Sequence, residues 1–587
     1  MGLVTPTYRW RLPDSLPIPP DLAAAAAERG LPDRLVGILA ARGYCDRADL
    51  TALFDPPEES LHDPRLLPDA GTFLARVQRA EAAGERVLVF GDFDADGLTG
   101  LAILTLALRR LGLDAAPYVP DRVAEGHGLS AAAVEQARAE GRTLILTVDC
   151  GTTSGAEVAA AAGFGIDVLV TDHHHVPAAL PPAMAIVNAH RPDSAYPDPR
   201  LTGSGIAFKL AQLLLADRPD GPAFALDLTD LAAIGTVADV APILGENRSI
   251  ARLGLEGLRA GSRLGLAALV ESAGLTPERL DLDSIGFQLA PRLNAGGRMG
   301  EATLGVRLLL ADDPAEAEAM AEALEVANRA RRDATAVALA EARAEADRAP
   351  DEPVVVVAGP WPAGIVGLVA GRLAEERARP AFVFATSNDH WRGSARGPQG
   401  TDLARALIAC EDLLERHGGH PQAAGCQLLP EQYPAFRARI LAALDSGTAL
   451  DPDPRPTLRI DLALAAEELD YGLLRELERL APAGPGNPAP LLAVSDLVVA
   501  RVRVVGEEHV AITLRKGREV VDAICFRRPE LAAQVAEGDR IEVCGRLASR
   551  RFGGLETLQL EVRDVAAAGH LADLAAPSGR DLAIAAV

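Results

Sequence analysis

The stretch VFGDFDADGLTG, residues 89 to 100, places Asp92, Asp94 and Asp96 at alternate positions directly after an apolar run. Carboxylates this close repel one another and raise each other's pKa unless a cation neutralises them. A divalent metal ion is the simplest such cation. Carboxylate oxygens combined with imidazoles favour Mn²⁺ or Mg²⁺, and zinc is less favoured because no cysteine accompanies this set.

Three more groups of metal-binding residue types follow along the chain: Asp149 in VDCG, the histidines 173 to 175 in TDHHH, and Asp239 in GTVADVAP. Each group alone has a simpler explanation. A DxDxD run is typical of a solvated or calcium-binding turn, an aspartate after a strand can cap a helix, and adjacent histidines occur in polar surface loops. Together the groups predict a two-metal centre, the usual machinery for attack of water on a phosphodiester.

The elements that must position these residues are short apolar strands alternating with helical segments. RVLVF, TLILTV and DVLVTD are each followed by a loop, and the first two by an alanine-rich or leucine-rich helical run as well. This alternation predicts a parallel α/β sheet. Ligands of such sheets bind at the carboxyl ends of the strands, which is where the aspartates and histidines fall.

The remaining chain shows four further kinds of segment. An Ala/Glu/Arg-rich run without internal proline or glycine, 314–348, predicts a long helix, and PVVVVAG opens a second α/β unit. DPDPRP, 451–456, is typical of a linker, and the alternating pattern beyond it predicts a small five-stranded barrel of the oligonucleotide-binding (OB) kind. The expected divisions are an N-terminal helical extension at 1–80, a catalytic α/β domain at 81–310, a connecting helix at 311–350, a second α/β domain at 351–450, the barrel at 455–570 and a tail at 571–587.

Composition narrows the function classes. The 587 residues carry a formal net charge of −24, which argues against a generally basic, nucleic-acid-coated surface but leaves room for a locally basic groove. The six cysteines form no CxxC pair, so neither a disulfide framework nor a structural zinc site is indicated. No segment has the pattern of a signal peptide or a membrane span, and we expect a cytoplasmic protein with no membrane association.

The quoted motifs resemble those of known proteins. GDFDADG, VDCG, TDHH and GTVADVAP are similar to the four ordered motifs of the DHH phosphoesterase superfamily. RLNAGGRM, GIVGLVAGRL, RGSARG and GGHPQAAG are similar to motifs of the RecJ family of bacterial single-strand-specific exonucleases, which carry a DHHA1 domain. The resemblance covers roughly residues 85 to 445, and the expected barrel matches that family's architecture.

The resemblance implies a centre of two divalent ions, Mn²⁺ or Mg²⁺, whose ligands would be Asp94, Asp96, Asp149, His173 and Asp239. Asp149 would bridge the ions, with Asp94 and Asp96 each holding one of them. His174 would act with Asp149 in catalysis, facing the scissile phosphate as a charge stabiliser or proton donor. Asp92 would orient a ligand from outside the coordination sphere.

A second, basic set is implied by the same resemblance. The phosphate at a 5′ end carries more negative charge than an internal linkage, and arginine recognises it through paired hydrogen bonds. The residues implied for this 5′-phosphate pocket are Arg122, Arg298, Ser394 and Arg396, with His420 near the nucleotide. Three positions depart from the family pattern: Phe90 and Pro362 stand where relatives carry histidine, and Ala483 where they carry phenylalanine.

The barrel would supply local positive charge through Arg527, Arg528, Arg546, Arg550 and Arg551. Its candidates for base stacking are Phe526 and Phe552, although we expect Phe526 to pack in the core. Two α/β domains joined by a long helix can enclose a passage that admits one strand and excludes a duplex.

The implied function is a metal-dependent exonuclease that degrades single-stranded DNA from 5′ to 3′ into 5′-mononucleotides during recombination and repair. A single-strand-binding protein and a helicase are the implied protein partners. Two alternatives remain: a DHH hydrolase of short oligonucleotides or cyclic dinucleotides, and a non-catalytic replication scaffold that kept the fold.

Overall fold

A computed structural model describes residues 4–13, 17–122, 124–445, 455–506, 508–552 and 555–575. The chain divides into two compact units: residues 60–451 form one, and residues 1–59 together with 452–587 form the other. The side chain of Phe552, the C-terminal tail from 576 onward and most of the expected linker lie outside what the structure describes. Among the described helices, none is long and apolar enough to cross a membrane.

The chain begins with a short strand and three helices: β1 (Arg9–Arg11), α1 (Pro20–Glu28), α2 (Asp33–Ala41) and α3 (Arg47–Phe54). The side chain of Asp46 accepts a hydrogen bond from the N–H of Asp49 and so caps α3. The leucine side chains of these three helices are buried.

The first α/β domain is a five-stranded sheet with helices between its strands. Its elements are α4 (Ala70–Ala83), β2 (Arg86–Gly91), α5 (Ala95–Arg110), β3 (Asp114–Tyr118), α6 (Ala131–Ala139), β4 (Leu144–Val148), α7 (Gly155–Gly163), β5 (Asp167–Thr171) and β6 (Ala185–Val187). All neighbouring strands are parallel, in the order β3-β2-β4-β5-β6. The predicted parallel sheet is confirmed. Its edge strand β3 was not predicted, because DAAPY lacks the apolar run of the central strands.

Helices complete this domain. They are α8 (Gly203–Leu215), α9 (Gly221–Asp227), α10 (Thr229–Ala238), α11 (Gly245–Ala260), α12 (Leu264–Ser272), α13 (Leu282–Ser284), α14 (Ala290–Met299) and α15 (Thr303–Leu309). A π-helical turn, Ile285–Leu289, joins α13 to α14 without a break. Helices α5, α8 and α10 pack on one another, α10 also packs against α11, and all three bury nearly all of their side chains.

The predicted connecting helix is present as α16 (Pro314–Ala346), 33 residues long, which corresponds to about 50 Å. The side chain of Asp313 caps it by accepting from the N–H of Glu316. Met320 and Leu324 near its start belong to the core of the first domain, whereas Ala338 and Ala342 belong to the core of the second. Because one unbroken helix is built into both cores, it is more than a solvent-exposed spacer.

The second α/β domain has a mixed sheet in the order β10-β11-β9-β8-β7. Its elements are β7 (Val355–Gly359), α17 (Val366–Arg377), β8 (Ala381–Ala385), β9 (Trp391–Arg396), α18 (Leu403–Ile408), β10 (Arg416–His420), β11 (Ala423–Leu428) and α19 (Tyr433–Asp445). Only β7 and β8 are parallel, and the remaining pairs are antiparallel. The confirmed prediction is therefore a second α/β domain.

The barrel follows. Its elements are β12 (Thr457–Arg459), β13 (Leu462–Leu464), α20 (Tyr471–Glu478), β14 (Leu492–Val505), β15 (His509–Lys516), β16 (Glu519–Cys525), α21 (Leu531–Gln534), β17 (Arg540–Phe552), β18 (Leu555–Ala567) and α22 (His570–Ala575). Strands β14 to β18 form one sheet that closes where β14 pairs with β17. The predicted five-stranded barrel is confirmed.

The N-terminal residues are built into this barrel unit. Strand β1 pairs in parallel with β12, and the indole N–H of Trp10 donates to Oδ2 of Asp564 in β18 across 2.9 Å. Leucines of α1 and α2 share a core with Leu473 and Leu477 of α20. Helix α4, in contrast, packs in the core of the first α/β domain.

The expectation that Phe526 packs in the core is wrong. Its side chain is 50% exposed, with its ring 5.3 Å from that of His509. The residue follows the last position of β16, and Arg527 after it takes a left-handed backbone conformation with φ 55°. The buried end of the strand, Ala523 to Cys525, therefore stops one residue before Phe526.

Candidate metal centre and phosphate pocket

Three neighbouring strands deliver their acidic residues to one edge of the sheet. The backbone N–H groups of Asp92, Asp149 and Asp172 follow β2, β4 and β5 and donate to Val148, Thr171 and Val187 on the adjacent strands. Each aspartate is thus held by a continuation of the sheet ladder. The predicted convergence at the carboxyl ends follows from this parallel register.

Asp94 caps α5. Its Oδ1 accepts hydrogen bonds from the N–H groups of Asp96 (3.0 Å) and Gly97 (3.1 Å). Gly97 is required here, because a Cβ at this position would lie 2.5 Å from the carbonyl oxygen of Asp92. The positive N-terminal end of the helix also favours the ionised form of a carboxylate at this position.

Asp96 is held by a second helix N-terminus. The N–H of Gly203 donates to its Oδ2 (2.7 Å) and the N–H of Ser204 to its Oδ1 (3.0 Å). Thr202 caps that helix, α8, by accepting from the N–H of Gly205. This support was not predicted. The sequence signal is TGSG, a capping residue with two glycines, at the start of an apolar helical run.

His173, one of the expected metal ligands, lies among three carboxylates. Nε2 of His173 is 3.0 Å from Oδ1 of Asp149, 3.8 Å from Oδ2 of Asp96 and 4.0 Å from Oδ2 of Asp239. The cluster contains three sets of possible metal ligands, and within each set the ligand atoms lie within 4.8 Å of one another. The sets are Asp92, Asp94 and Asp149; Asp96, His173 and Asp239; and Asp149, His173 and His174. Asp149 and His173 each belong to two of these sets.

The electrostatics of the cluster call for added positive charge. Burial, and then repulsion from Asp92 and Asp96, raises the pKa of Asp94 to about 6. Burial and the neighbouring carboxylates raise the pKa of Asp149 well above its ordinary value and that of Asp239 to about 8. Oδ1 of Asp92 and Oδ1 of Asp149 are buried without a hydrogen bond, although Nε2 of His173 lies 3.0 Å from the latter. Orphaned buried oxygens beside imidazoles fit divalent metal ions.

The ring of His174 is hydrogen-bonded to the carboxylate of Asp172. Its Nδ1 donates to Oδ1 of Asp172 across 2.8 Å, which leaves Nε2 as the nitrogen available to a substrate. Burial alone would lower the pKa of His174, but the bond to Asp172 raises it to about 9. Burial would likewise raise the pKa of Asp172, and the same bond lowers it instead. This orienting role of Asp172 was not predicted, although TDHH places the residue next to the histidines.

His127 is a second residue that was missed. Its Nδ1 lies 3.4 Å from Oδ2 of Asp92, and its ring centroid is 5.0 Å from that of His174. The hydrogen bond with Asp92 raises the pKa of His127. The loop that carries it is tied down by Glu125, which accepts hydrogen bonds from Tyr118 and Ser130. Its signal was a histidine between two glycines in PDRVAEGHG, residues 120 to 128, which also contains Arg122.

The predicted phosphate pocket adjoins the metal centre. The guanidinium of Arg122 lies over the ring of Phe93, 4.4 Å from its centroid, and Phe93 stands between Asp92 and Asp94 in the chain. A Cβ on Gly297 would lie 3.2 Å from the carbonyl oxygen of Phe93. Arg298 follows directly, so both arginines are placed beside the aspartate turn.

The second α/β domain closes the pocket from the other side. Nη1 of Arg298 donates to the carbonyl oxygen of Gly364 (2.8 Å), just before α17. Nη1 of Arg396 donates to Oγ of Ser394 (3.2 Å), and a Cβ on Gly367 would lie 3.1 Å from that same Oγ. Arg298, Ser394 and Arg396 therefore surround the N-terminus of α17. A helix N-terminus with arginines is a binding site for a phosphate group.

The charge of this pocket is unbalanced. Burial, followed by repulsion from Arg122 and Arg331, lowers the pKa of Arg298 to about 9, and burial also lowers the pKa of Arg122 and Arg396. Within the described part of the chain, none of the three predicted arginines has a carboxylate closer than 4.0 Å. Half-buried arginines that form no ion pair indicate a site for an external anion.

His420, His175 and the three positions that differ from the family pattern lie outside the acidic cluster and the arginine pocket. His420 is exposed on β10, two strands from Arg396, since both His420 and Arg396 pair with Ala423. Phe90 is fully buried and stacks on Tyr118 with ring centroids 5.4 Å apart, so it faces the core. Pro362 is exposed and Ala483 is half-buried. His175 is exposed, outside the cluster.

A parallel sheet that gathers aspartates and paired histidines at its strand ends, next to an arginine cluster shared with a second α/β domain, defines a DHH-type phosphoesterase fold. The family model described as "DHH family, N-terminal domain" matches residues 86–236, "DHHA1 domain" matches residues 351–446, and "RecJ OB domain" matches residues 460–564. The chain belongs to the RecJ family.

One similar protein and two solved structures of another support this assignment. The single-stranded-DNA-specific exonuclease RecJ of Bacillus subtilis is 35% identical over 91% of this chain and 68% of its own length. The crystal structure of RecJ in complex with Mn²⁺ from Thermus thermophilus superposes with a TM-score of 0.77 at 33% identity, covering 95% of this chain and 79% of that one. The Mg²⁺ complex from the same organism gives a TM-score of 0.71 at 31% identity, covering 95% and 78%. The acidic and histidine residues of this chain are likewise positioned for divalent metal binding.

Proposed function

We propose that this chain is a metal-dependent exonuclease that degrades single-stranded DNA from the 5′ end to 5′-mononucleotides in recombination and repair. One observation carries the proposal: the unpaired arginine pocket lies directly beside the acidic cluster, joined to it through Phe93. Adjacent sites for a terminal phosphate and for a scissile linkage are what removal of single nucleotides from a phosphorylated end requires.

The residues of the acidic cluster divide into two ligand groups. Asp94 would hold one ion, Asp96, His173 and Asp239 the other, and Asp149 would contact both. When bound, these ions supply the charge that activates water and steadies the leaving oxygen. His174 places Nε2 toward the scissile phosphate, while Asp172 keeps its ring in one orientation. Asp92 orients the cluster through its contact with His127.

The direction of degradation follows from the arginine pocket. Arg298 and Arg396 with Ser394 and the first turn of α17 would bind the terminal 5′ phosphate, and Arg122 would bind the linkage between the two sites. An internal linkage carries one negative charge, whereas a terminal phosphate carries nearly two at neutral pH. The pocket therefore favours an end over the interior of a strand. We place His420 at the edge of the nucleotide site.

The barrel would add an electropositive surface for the strand. Arg528 is paired with Asp564, and Arg546 with Glu561, so the charge of these two arginines is largely neutralised within the barrel. Exposed Arg501, Arg503 and Arg515 stand on the neighbouring strands β14 and β15. Strands of an OB fold are a common oligonucleotide surface, and these side chains are better candidates than the paired Arg528 and Arg546.

The proposed partners follow from the substrate. Single-stranded DNA in a cell is produced by a helicase and covered by a single-strand-binding protein, so both would meet this enzyme at its substrate, in the cytoplasm. The RecJ OB domain match favours this substrate over short oligonucleotides or cyclic dinucleotides, which need no accessory barrel. The complete acidic cluster argues against a non-catalytic scaffold.

A directional digestion tests the proposal. Oligonucleotides of DNA and of RNA, labelled at either end and carrying a 5′ phosphate, are incubated with the full chain and Mn²⁺. We expect DNA shortened from its 5′ end to mononucleotides, with blunt duplex left intact. Asp149→Asn is expected to be inert, whereas Asp217→Asn, a change of an exposed aspartate in the same domain, is expected to retain activity. Degradation from the 3′ end, or equal activity in EDTA, would contradict the proposal.

A further inference from the structure

A buried asparagine lies against the histidine loop and has no part in the roles assigned so far. Asn188 is the first residue after β6, and its side chain is fully buried. Its Oδ1 accepts a hydrogen bond from the N–H of His190 (2.9 Å), and its Nδ2 donates to the carbonyl oxygen of His174 (2.9 Å). Because a buried amide loses free energy when either end lacks a partner, these two bonds fix its orientation.

The same amide joins the loops that follow three strands. Asn188 follows β6, and its Nδ2 also donates to Oγ1 of Thr152 (3.4 Å) in the loop after β4. The N–H of Thr152 donates in turn to Oδ2 of Asp172 (2.9 Å), at the end of β5. Oδ1 of Asp172 accepts from the N–H groups of His173 and His174. The turn that presents both histidines is therefore held from two neighbouring loops.

The chain beyond His174 gives that turn little support. Residues 175 and 178–180 are exposed, and the segment 175–184 contains three prolines, which have no backbone N–H to donate. Asp172 thus holds the start of the histidine turn, and Asn188 holds its end through the carbonyl oxygen of His174.

The position of the His174 ring depends on both contacts. The bond from Nδ1 to Asp172 fixes the rotation of the side chain, whereas the bond from Asn188 fixes the backbone from which the side chain projects. Both bonds must hold if Nε2 is to stay at one place beside the substrate. A displacement of about 1 Å in a catalytic group can cost roughly a hundredfold in rate.

We propose that Asn188 is a positioning residue that holds His174 in its catalytic orientation. The inference rests on the proposed function, in which His174 faces the scissile phosphate. The side-chain partners of Asn188 are Thr152, His174 and His190, and none of these is a proposed metal ligand. Loss of its amide should therefore slow the chemical step without weakening the binding of metal or substrate.

A double-mutant cycle tests whether Asn188 acts through His174. The kcat for 5′-phosphorylated single-stranded DNA is measured for the unmodified protein, Asn188→Ala, His174→Gln and the double variant. We expect Asn188→Ala to lower kcat roughly 10- to 100-fold, with KM and Mn²⁺ affinity little changed, and to have almost no further effect in His174→Gln. Asn188→Leu, which keeps the volume of the side chain, should behave as Asn188→Ala does.

Hydrogen exchange provides a second measurement that needs no activity. The amide protons of His173 and His174 are bonded to Asp172, so they should exchange slowly while the turn is held. In Asn188→Ala, mass spectrometry should show faster exchange in the peptide 172–183. A general loss of stability would instead speed exchange throughout the first α/β domain.

Asn487→Ala is the matched control. Asn487 is a buried asparagine of the barrel unit with the same pattern of bonds: its Nδ2 donates to the carbonyl oxygens of Leu480 (2.9 Å) and Pro482 (3.0 Å), and its Oδ1 accepts from Arg42. Its loss removes an equivalent set of hydrogen bonds far along the chain from the histidines. We expect unchanged kcat and unchanged exchange in the peptide 172–183.

Three results would overturn the inference while leaving 5′ digestion by the unmodified protein intact. They are an unchanged kcat in Asn188→Ala, an equal loss of kcat with and without His174, and unchanged exchange in the peptide 172–183. Failure of the unmodified protein to digest single-stranded DNA would overturn the proposed function, and the exchange measurement would still show whether Asn188 holds the turn.

Discussion

Gly203 donates its backbone N–H to Oδ2 of Asp96 across 2.7 Å, although 107 residues separate the two in the chain. The N-terminus of α8 thus holds a carboxylate that arrives on a different loop. Gly203 also approaches a second aspartate so closely that a Cβ there would lie 2.5 Å from Cβ of Asp149. Two acidic residues of the cluster are therefore positioned by one glycine.

Gly203→Ala is expected to displace Asp149 and Asp96 while leaving the fold intact. A shift of about 1 Å in a catalytic group can cost roughly a hundredfold in rate, and we expect at least that loss in kcat. Titration calorimetry with Mn²⁺ should show weaker binding. Gly163→Ala, a helical glycine with open space around it, is the control and should behave as the parent. Normal Mn²⁺ affinity in Gly203→Ala would contradict the role given to this contact.

Asp172→Asn is expected to change the pH dependence of the reaction. The carboxylate of Asp172 raises the pKa of His174 to about 9, so His174 keeps its proton up to that pH. Without the negative charge, the pKa of His174 should fall by more than one unit, and activity should decline at a correspondingly lower pH. A pH–rate profile measures this. An alkaline limb that stays in place would show that His174 does not act as the protonated group.

Arg298→Gln and Arg396→Gln are expected to remove selectivity for a phosphorylated end. Each variant loses a charged hydrogen bond to the terminal phosphate, and kcat/KM on 5′-phosphorylated DNA should fall about tenfold or more. The loss on 5′-hydroxyl DNA should be smaller. Arg372→Gln is the control, because Arg372 is an exposed residue of α17 that faces Glu375. Equal losses on both ends would count against the pocket.

The metal-free protein is expected to lose stability as the pH rises from 5 to 8. The pKa of Asp94 is raised to about 6 and that of Asp239 to about 8, so the folded state binds protons that the unfolded chain has already released. Stability falls with pH under that condition. We expect Tm in EDTA to drop by a few degrees over this range.

Addition of Mn²⁺ should reverse that trend, since the metal competes with protons for the same oxygens. The rise in Tm on adding Mn²⁺ should be larger at pH 8 than at pH 5. Asp239→Asn should flatten the decline in EDTA because it removes the group with the higher pKa. A Tm that climbs between pH 5 and 8 in EDTA would refute this account of the cluster.

The central site was predictable because its residues follow strands whose apolar runs are local patterns. Asp149 and Asp172 each stand directly after such a run, and parallel pairing brings them together. The proximity of Arg298 and Arg396 was predictable only through family motifs, since nothing in their spacing indicates that they converge on α17.

Contacts over long sequence separations were not predictable. The support of Asp96 by Gly203 depends on how α5 and α8 pack, and no short pattern encodes it. His127 escaped notice because a single histidine in a loop is ordinarily a surface residue. The exposure of Phe526 depends on where β16 ends, and strand ends are the least certain feature of a sequence pattern.

The pairing of β1 with β12 has a consequence for biosynthesis. Residues 9–11 are translated before their partners at 457–459, which follow several hundred codons later, roughly 20 to 90 s at ordinary elongation rates. Residues 60–451, which lie between the two strands in the chain, can fold during that interval. Strand β1 remains unpaired until β12 has been translated. Delayed docking of this kind gives chaperones a defined client segment.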